Sequence, residues 1–200
     1  MTAQPKILAF TGSLRADSHN RRLLLHGTSY LKRLGAIVTE VELRTLDLPL
    51  FDEDFESEIV AAGKQLPAGV VMLQDMMLEH DALLLGCPEY NSSITPALKN
   101  AIDWSSRRVD DKGPLACFRG KVAGLLAASP GKLGGIRGLP EVRRILSNIG
   151  VTVVPGDYAC PSAHETVPTN GQLDESVLTG LHRVCENLFH ASSALQIRGD

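Results

Sequence analysis

The sequence predicts an α/β fold in which a five-stranded parallel sheet is covered by helices on both faces. Short apolar runs alternate with longer amphipathic stretches, a pattern typical of parallel strands joined by right-handed helical crossovers. Two runs, residues 82–87 and 121–128, are almost continuously apolar, as expected of strands buried on both faces. The chain of 200 residues has neither internal repeats nor a low-complexity linker, so we assign residues 1–200 to one domain.

The elements follow one another in a regular order along the chain. Strands are predicted at residues 6–11, 37–43, 82–87, 121–128 and 151–154. Helices are predicted at about residues 18–34, 67–80, 96–108, 139–149 and 174–196. Five strands in this arrangement suit the order 2-1-3-4-5 of a flavodoxin-like three-layer sandwich. The segment 45–66 is expected to be a long irregular loop.

Composition and charge exclude several classes of function. The net charge of −3 leaves no basic surface for nucleic acid. We see no signal peptide and no apolar run of the roughly 20 residues that span a bilayer, so we expect a cytoplasmic protein with no membrane contact. The cysteines are scattered without a C-x-x-C pair, which predicts buried thiols and no metal site; they are Cys87, Cys117, Cys160 and Cys185.

In a sheet of this order, ligands bind beyond the carboxyl ends of the strands, where the strand order reverses. The loops after the first, third and fourth predicted strands should therefore form the site. The first, GSLRADSHN at residues 12–20, offers the hydroxyls of Ser13 and Ser18, the Arg15 guanidinium and the Asn20 amide at the start of a helix. Such donors suit a phosphate. Alternatively, Ser18 and Asn20 only cap the helix and Arg15 is solvated.

The other two loops carry different chemistry. Residues 88–91 precede a predicted N-cap, Thr95, and a first-turn proline, Pro96. Tyr90 could be a platform for a flat ligand, or the segment could be a turn with a packed tyrosine. Residues 129–135 hold three glycines in five positions, which permit close backbone approach, although a plain flexible turn would also use them. Neither G-x-G-x-x-G nor the P-loop pattern occurs, which disfavours both of those nucleotide sites.

Three stretches, GSLRADSHN, PEYNSSITPALKNAIDWSSR and SPGKLGG, resemble in their order and spacing the NADPH-dependent FMN reductase family. This family includes bacterial quinone, chromate and azo-dye reductases. The segment LDLPLFDED between the first two stretches is similar to the family's second-strand loop. The resemblance covers about residues 6–150, which is most of the chain.

The resemblance implies a flavodoxin-like fold with non-covalently bound FMN. It implies that the FMN phosphate is held by Ser13, Arg15, Ser18 and Asn20. It implies that the isoalloxazine ring is lined by Pro88, Glu89, Tyr90 and Asn91, and approached from the third loop by Ser129 and Gly131. It further implies a homodimer or homotetramer that uses NADPH or NADH as co-substrate and small molecules as electron acceptors.

The loops contain no convincing acid–base pair, and His19 is expected to be a solvent-facing helix residue. Bound FMN would explain this absence, because the cofactor carries the hydride chemistry. We therefore expect ping-pong transfer from NAD(P)H through FMN to quinones or similar acceptors, including chromate, azo compounds or free flavin, with no catalytic side chain. One alternative is a flavin-binding electron carrier or redox sensor without NAD(P)H turnover. A flavin-free phospho-ligand hydrolase is the other, and its nucleophile or metal cluster is missing from these loops.

Overall fold

The computed structural model describes residues 4–169 and 172–196, and a parallel sheet runs through the middle of this part of the chain. Its strands are β1 (Lys6–Thr11), β2 (Ile37–Val41), β3 (Ala82–Gly86), β6 (Val122–Ala128), β7 (Thr152–Val153) and β8 (Tyr158–Cys160). Strands β4 (Glu89–Tyr90) and β5 (Ser93–Ile94) form a separate antiparallel hairpin. The sheet order β2-β1-β3-β6-β7 confirms the predicted order of the five strands.

Helices cover both faces of the sheet. They are α1 (His19–Leu34), α2 (Glu53–Ala61), α3 (Ala68–Glu79), α4 (Pro96–Ser105), α5 (Gly138–Asn148), α6 (Ala163–Thr166) and α7 (Glu175–Gln196). Because side chains alternate along a strand, Leu8 and Phe10 pack with α3, α4 and α5, whereas Ile7 and Ala9 pack with α1 and α7. This confirms the three-layer sandwich. Among the described residues, no helix is both long and apolar enough to cross a membrane.

The segment 45–66 is not irregular throughout, which corrects the expectation from sequence. Helix α2 begins in the middle of it, after the N-cap Asp52, whose carboxylate accepts hydrogen bonds from the backbone N–H groups of Asp54 and Phe55. The acidic first turn of α2 also stabilises it through the helix dipole. An N-cap residue followed by acids was therefore a readable start signal in the sequence.

The fifth predicted strand, at residues 151–154, is shorter than expected and is continued by a second piece. Strand β7 ends before Pro155 and Gly156, where the chain bends with Gly156 at φ 86°, and β8 then resumes pairing with β6. Arg143 holds this bend, because its guanidinium donates to the carbonyls of Val153 and Val154 and pairs with the Asp157 carboxylate. The edge of the sheet is thus pinned to α5.

The single glycine of the first loop is required by packing. Gly12 donates a hydrogen bond from its N–H to the Gly86 carbonyl at 2.9 Å, and its own carbonyl accepts one from the Thr95 hydroxyl at 2.9 Å. A Cβ at Gly12 would lie 2.6 Å from both Thr95 Oγ1 and Leu98 Cβ. The end of β1 therefore lies directly against the start of α4, which brings the first two loops together.

Replacing Gly12 with alanine should destabilise the protein, because Thr95 and Leu98 are fully buried and leave no space. We expect the free energy of unfolding to fall by about 1–3 kcal/mol, the usual cost of overpacking. Gly131→Ala is the control, since the nearest heavy atom to its new Cβ, Ser129 Oγ, is 3.6 Å away. That change should stay within about 0.5 kcal/mol. Chemical denaturation measures both, and equal stabilities would contradict the packing argument.

Candidate functional site

The loops after β1, β3 and β6 meet in one cleft at the carboxyl edge of the sheet. Its lining residues are Ser13, Arg15, Ser18, His19, Asn20, Pro88, Glu89, Tyr90, Ala128, Ser129 and Pro130. The structure thus brings together every predicted site residue except Asn91 and Gly131. The cleft has a volume of about 90 Å³, whereas sites that enclose a small ligand measure roughly 300–1,000 Å³. The cleft is therefore shallow, and a ligand of this size would extend beyond it.

A larger cleft, of about 290 Å³, lies on the other side of the first loop. Three arginines, Arg15, Arg21 and Arg44, line it together with two acids, Glu40 and Glu42. Arg21 is neutralised by its ion pair with Glu42, and the carboxylates of Glu40 and Glu42 would repel a phosphate. The smaller cleft is the better candidate, because all three loops contribute predicted residues to it, whereas the larger one shares only Ser13 and Arg15.

The helix α1 presents an anion site to this cleft. Its N-cap is Ser18, whose backbone is extended and whose Oγ accepts a hydrogen bond from the Arg21 N–H at 3.2 Å. The capping alternative for Ser18 is thus confirmed, although its hydroxyl can still donate. No acceptor in the described part of the chain takes the N–H groups of His19 or Asn20, which belong to the unpaired first turn. These groups and the helix dipole favour a negative ligand.

Arg15 is solvated, as the capping alternative expected, and its positive charge is available to a ligand. It is exposed, and its guanidinium has no hydrogen-bond or ion-pair partner within the described residues. Its backbone N–H donates to Ser13 Oγ at 3.4 Å, so the Ser13 hydroxyl shapes the loop. Arg22, by contrast, is committed to the protein, since its guanidinium contacts Asp17 and His19 and donates to the Val167 carbonyl.

His19 lines the cleft, which corrects the expectation of a solvent-facing residue. Its Nδ1 lies 2.6 Å from an Arg22 guanidinium nitrogen, and burial, reinforced by Arg22, lowers the pKa of the imidazole. The neutral ring that accepts this hydrogen bond carries its proton on Nε2, which can donate. Its position in the first loop, directly after the N-cap, was visible in the sequence, but that position did not show that the ring lines the cleft.

Asn20 reaches the cleft but is engaged with the protein backbone. Its Nδ2 donates to the Ala128 carbonyl at 2.7 Å, and its Oδ1 accepts from the Ala128 N–H at 2.9 Å. Only 6% of its surface is exposed. Its role as a phosphate ligand stays a prediction, and the structure shows a different use of the side chain.

The second loop is a tight hairpin that exposes Tyr90. Asn91 and Ser92 have φ angles of 52° and 68°, and two consecutive positive values are typical of a type I′ turn between paired strands. Tyr90 is 47% exposed, so the alternative of a packed tyrosine is wrong. Asn91 lies at the hairpin tip and does not line the cleft.

Glu89 fastens this hairpin to α5. Its carboxylate accepts the backbone N–H groups of Arg137 at 2.9 Å and Gly138 at 3.2 Å, and it pairs with the Arg137 guanidinium. The Ser93 hydroxyl adds a hydrogen bond to the Glu141 carboxylate. The side chain of Glu89 therefore caps α5. Only the backbone N–H and C=O groups of Glu89 are left to contact a ligand.

The third loop is compact. Gly134 and Gly135 have φ angles of 63° and 89°, which confirms the prediction that glycines here permit positive φ. A Cβ at Gly134 would lie 2.7 Å from the Cys160 carbonyl carbon, so the loop is packed on β8. Ser129 lines the cleft, whereas Gly131 donates its N–H to Ser129 Oγ at 3.2 Å and stays outside it.

Comparison with known proteins gives a consistent result. The model of the NADPH-dependent FMN reductase family matches residues 5–165. The chain is 34% identical over 149 residues to an NAD(P)H-dependent FMN reductase of Pseudomonas aeruginosa, covering 73% of this chain and 71% of that protein. It is 33% identical over 148 residues to a quinone reductase of Escherichia coli K12, with coverage of 73% and 71%.

Solved structures agree with these relatives. A flavoenzyme NAD(P)H:(acceptor) oxidoreductase from Paracoccus denitrificans, FerB, matches with a TM-score of 0.73 at 26% identity, over 97% of this chain and 98% of that one. An azoreductase from Bacillus anthracis shares the fold with a TM-score of 0.62 at 18% identity, over 96% of this chain and 100% of that one.

Glu89→Ala should destabilise the protein more than Arg137→Ala does. The first change leaves the Arg137 N–H without its acceptor and the Gly138 N–H with only the Gly135 carbonyl at 3.3 Å, and we expect a loss of about 1–2 kcal/mol in the free energy of unfolding. The second keeps the cap and removes an ion pair whose arginine side chain is 55% exposed to solvent, and such a pair contributes about 1 kcal/mol. Denaturant titration of both variants measures the difference, and the reverse ranking would refute the capping role.

Proposed function

Because the chain belongs to the NADPH-dependent FMN reductase family, an oxidoreductase family, we propose that it binds FMN in the three-loop cleft and reduces quinones or similar small molecules with NAD(P)H. The observation that carries this proposal is the set of phosphate donors in the first loop. They comprise the unpaired N–H groups of His19 and Asn20, the hydroxyls of Ser13 and Ser18, and the Arg15 guanidinium.

These donors fit a terminal phosphate. A dianion gains from the dipole of α1 and from the charge-assisted hydrogen bonds of Arg15, whose planar fork matches phosphate oxygens. The hydroxyl of Ser18 accepts from the Arg21 N–H and can donate outward at the same time. With one glycine, and that one committed to packing, the loop does not provide the flat backbone against which a pyrophosphate lies. The arrangement therefore suits a mononucleotide.

The second and third loops would hold the flavin ring. Tyr90 offers an exposed aromatic face, and the backbone of residues 88–91, rigidly held by the Glu89 cap, offers hydrogen-bonding edges. Ser129 faces the same cleft from the end of β6. When bound, FMN supplies the hydride chemistry between NAD(P)H and the acceptor. The protein's part is to bind, to orient and to leave one face accessible, which is why no nucleophile or acid–base pair is required.

The competing function is a flavin-binding electron carrier or redox sensor on the same fold. A carrier that docks to protein partners relies on strong charge complementarity, and the net charge of −3 offers little. The open cleft instead suits two small molecules, NAD(P)H and the electron acceptor, that bind in it one after the other. Sustained NAD(P)H oxidation in the presence of a quinone distinguishes the enzyme from the carrier.

Arg15→Ala tests the phosphate site. Removing hydrogen bonds to a charged group costs about 1.5–3 kcal/mol, so the Kd for FMN should rise roughly 10- to 150-fold. The Kd for riboflavin, which lacks the phosphate, should not change. Arg33→Ala is the control, because Arg33 is an exposed arginine in the last turn of α1 that packs on Tyr30, away from the cleft. Flavin fluorescence titration of the apoprotein measures each affinity, and an unchanged FMN Kd in Arg15→Ala would sink the assignment.

A further inference from the structure

We propose that Asn20 is a positioning residue that fixes the third loop of the cleft by pairing with the backbone at the end of β6. The proposal rests on the proposed function, since it concerns how the same cleft binds flavin. This role differs from that of a phosphate ligand, because both Nδ2 and Oδ1 of the Asn20 amide form hydrogen bonds with the backbone of Ala128.

The need for such a residue arises where β3 leaves the sheet. Strands β3 and β6 are paired in register as far as Gly86 and Leu126, and the Cys87 N–H still donates to the Leu126 carbonyl at 2.6 Å. The next residue, Pro88, has no N–H to donate, and the chain turns away into the β4–β5 hairpin. Beyond this point the β3 side of β6 has no neighbouring strand.

Ala128 is the residue left without a strand partner on that side. It lies two residues after Leu126, so its N–H and C=O point to the same side of the strand as those of Leu126. Ala128 is only 5% exposed, and buried backbone groups of this kind require partners. The Asn20 amide supplies both, as acceptor to the N–H at 2.9 Å and as donor to the C=O at 2.7 Å. A side chain thus completes the ladder in place of the missing strand.

This pairing joins the first loop directly to the third. Asn20 is the second residue of α1, and Ser129 follows Ala128 at once. On the opposite side Ser129 is held by its N–H, which donates to the Cys160 carbonyl at 3.2 Å, and by its carbonyl, which accepts from the Ala163 N–H at 3.0 Å. Ser129 is therefore placed by β8 and α6 from one side and by Asn20, through Ala128, from the other.

The two possible roles of Asn20 make different predictions for two ligands. A phosphate ligand strengthens FMN binding and has no effect on riboflavin. A residue that positions the third loop influences the ring end of the cleft and therefore affects FMN and riboflavin alike. The ratio of the two Kd values separates these roles, and Arg15→Ala calibrates what the loss of a phosphate contact does to that ratio.

The experiment is a flavin fluorescence titration of wild-type, Asn20→Ala and Asn20→Asp apoprotein with FMN and with riboflavin. Because a buried donor or acceptor is left unpaired, we expect both Kd values to rise by about 10-fold or more in Asn20→Ala, with their ratio unchanged. Asn20→Asp keeps the acceptor for the Ala128 N–H but loses the donor to the Ala128 carbonyl, and because its charge lies beside the phosphate donors it is judged by riboflavin alone; its riboflavin Kd should rise as well, which decides the test if the alanine variant does not fold. Gln74→Ala removes another buried amide, which donates to the Trp104 carbonyl from α3, and should leave both affinities unchanged.

A rise in the FMN Kd alone would overturn the proposal in favour of a phosphate ligand, and unchanged affinities for both flavins would overturn it as well. Amide hydrogen exchange without flavin provides a second readout. We expect the Ala128 N–H to exchange faster in Asn20→Ala, which removes its acceptor, than in wild type or in Asn20→Asp, which keeps an acceptor oxygen, and equal rates in all three proteins would contradict the positioning role. If wild type binds neither flavin, the proposed function fails, whereas the exchange result still decides the role of Asn20.

Discussion

The parallel pairing of β1, β3 and β6 is the constraint on which the rest of the molecule depends. Thr11, Gly86 and Leu126 stand side by side in register, so all three strands deliver their following loops to one edge. The pairing continues past the strands through single hydrogen bonds, from Gly12 to Gly86 and from Cys87 to Leu126. The Asn20 amide then takes over where no further strand is present. The loops that form the cleft are thus held by hydrogen bonds that continue those of the sheet.

The arginines around this cleft fall into two groups, those paired with carboxylates and those without a partner among the described residues. Most arginines near the three loops are tied to protein carboxylates, as Arg22 is to Asp17 and Arg137 is to Glu89. Arg15 stands apart, because nothing among the described residues neutralises it. A helix N-terminus with unpaired N–H groups lies beside it. Structural ion pairs hold the loops in place, and the charge of Arg15 is available to the anionic ligand that we propose.

Local chemistry made much of the fold and part of the site predictable. The continuous apolar runs identified β3 and β6, and Thr95 followed by Pro96 marked the start of α4, where the structure shows the Thr95 side chain as N-cap. The positive φ angles of Gly134 and Gly135 were likewise foreseeable from residue type.

What the sequence could not reveal are contacts between residues far apart in the chain. Glu89 and Arg137 are separated by 48 positions, and Asn20 and Ala128 by 108, yet both contacts decide what a predicted ligand residue does. Nothing in the local pattern around Glu89 indicates that its carboxylate caps a later helix. The split between β7 and β8 is different, because Pro155 and Gly156 mark a bend in the sequence itself, and Arg143 and Asp157 then stabilise that bend from outside the strand. Residue type indicated the candidate site, and the fold shows which contacts its side chains make within the protein.

The central claim is that the cleft holds FMN and that NAD(P)H and an acceptor use it in turn. Its most direct test is the visible flavin absorption of FMN-loaded protein, followed without oxygen while the two substrates are added one after the other. NAD(P)H alone should bleach the flavin band, and a quinone added after removal of the pyridine nucleotide should restore it. A protein that takes up no FMN, or whose flavin band NAD(P)H leaves unchanged, would contradict the claim.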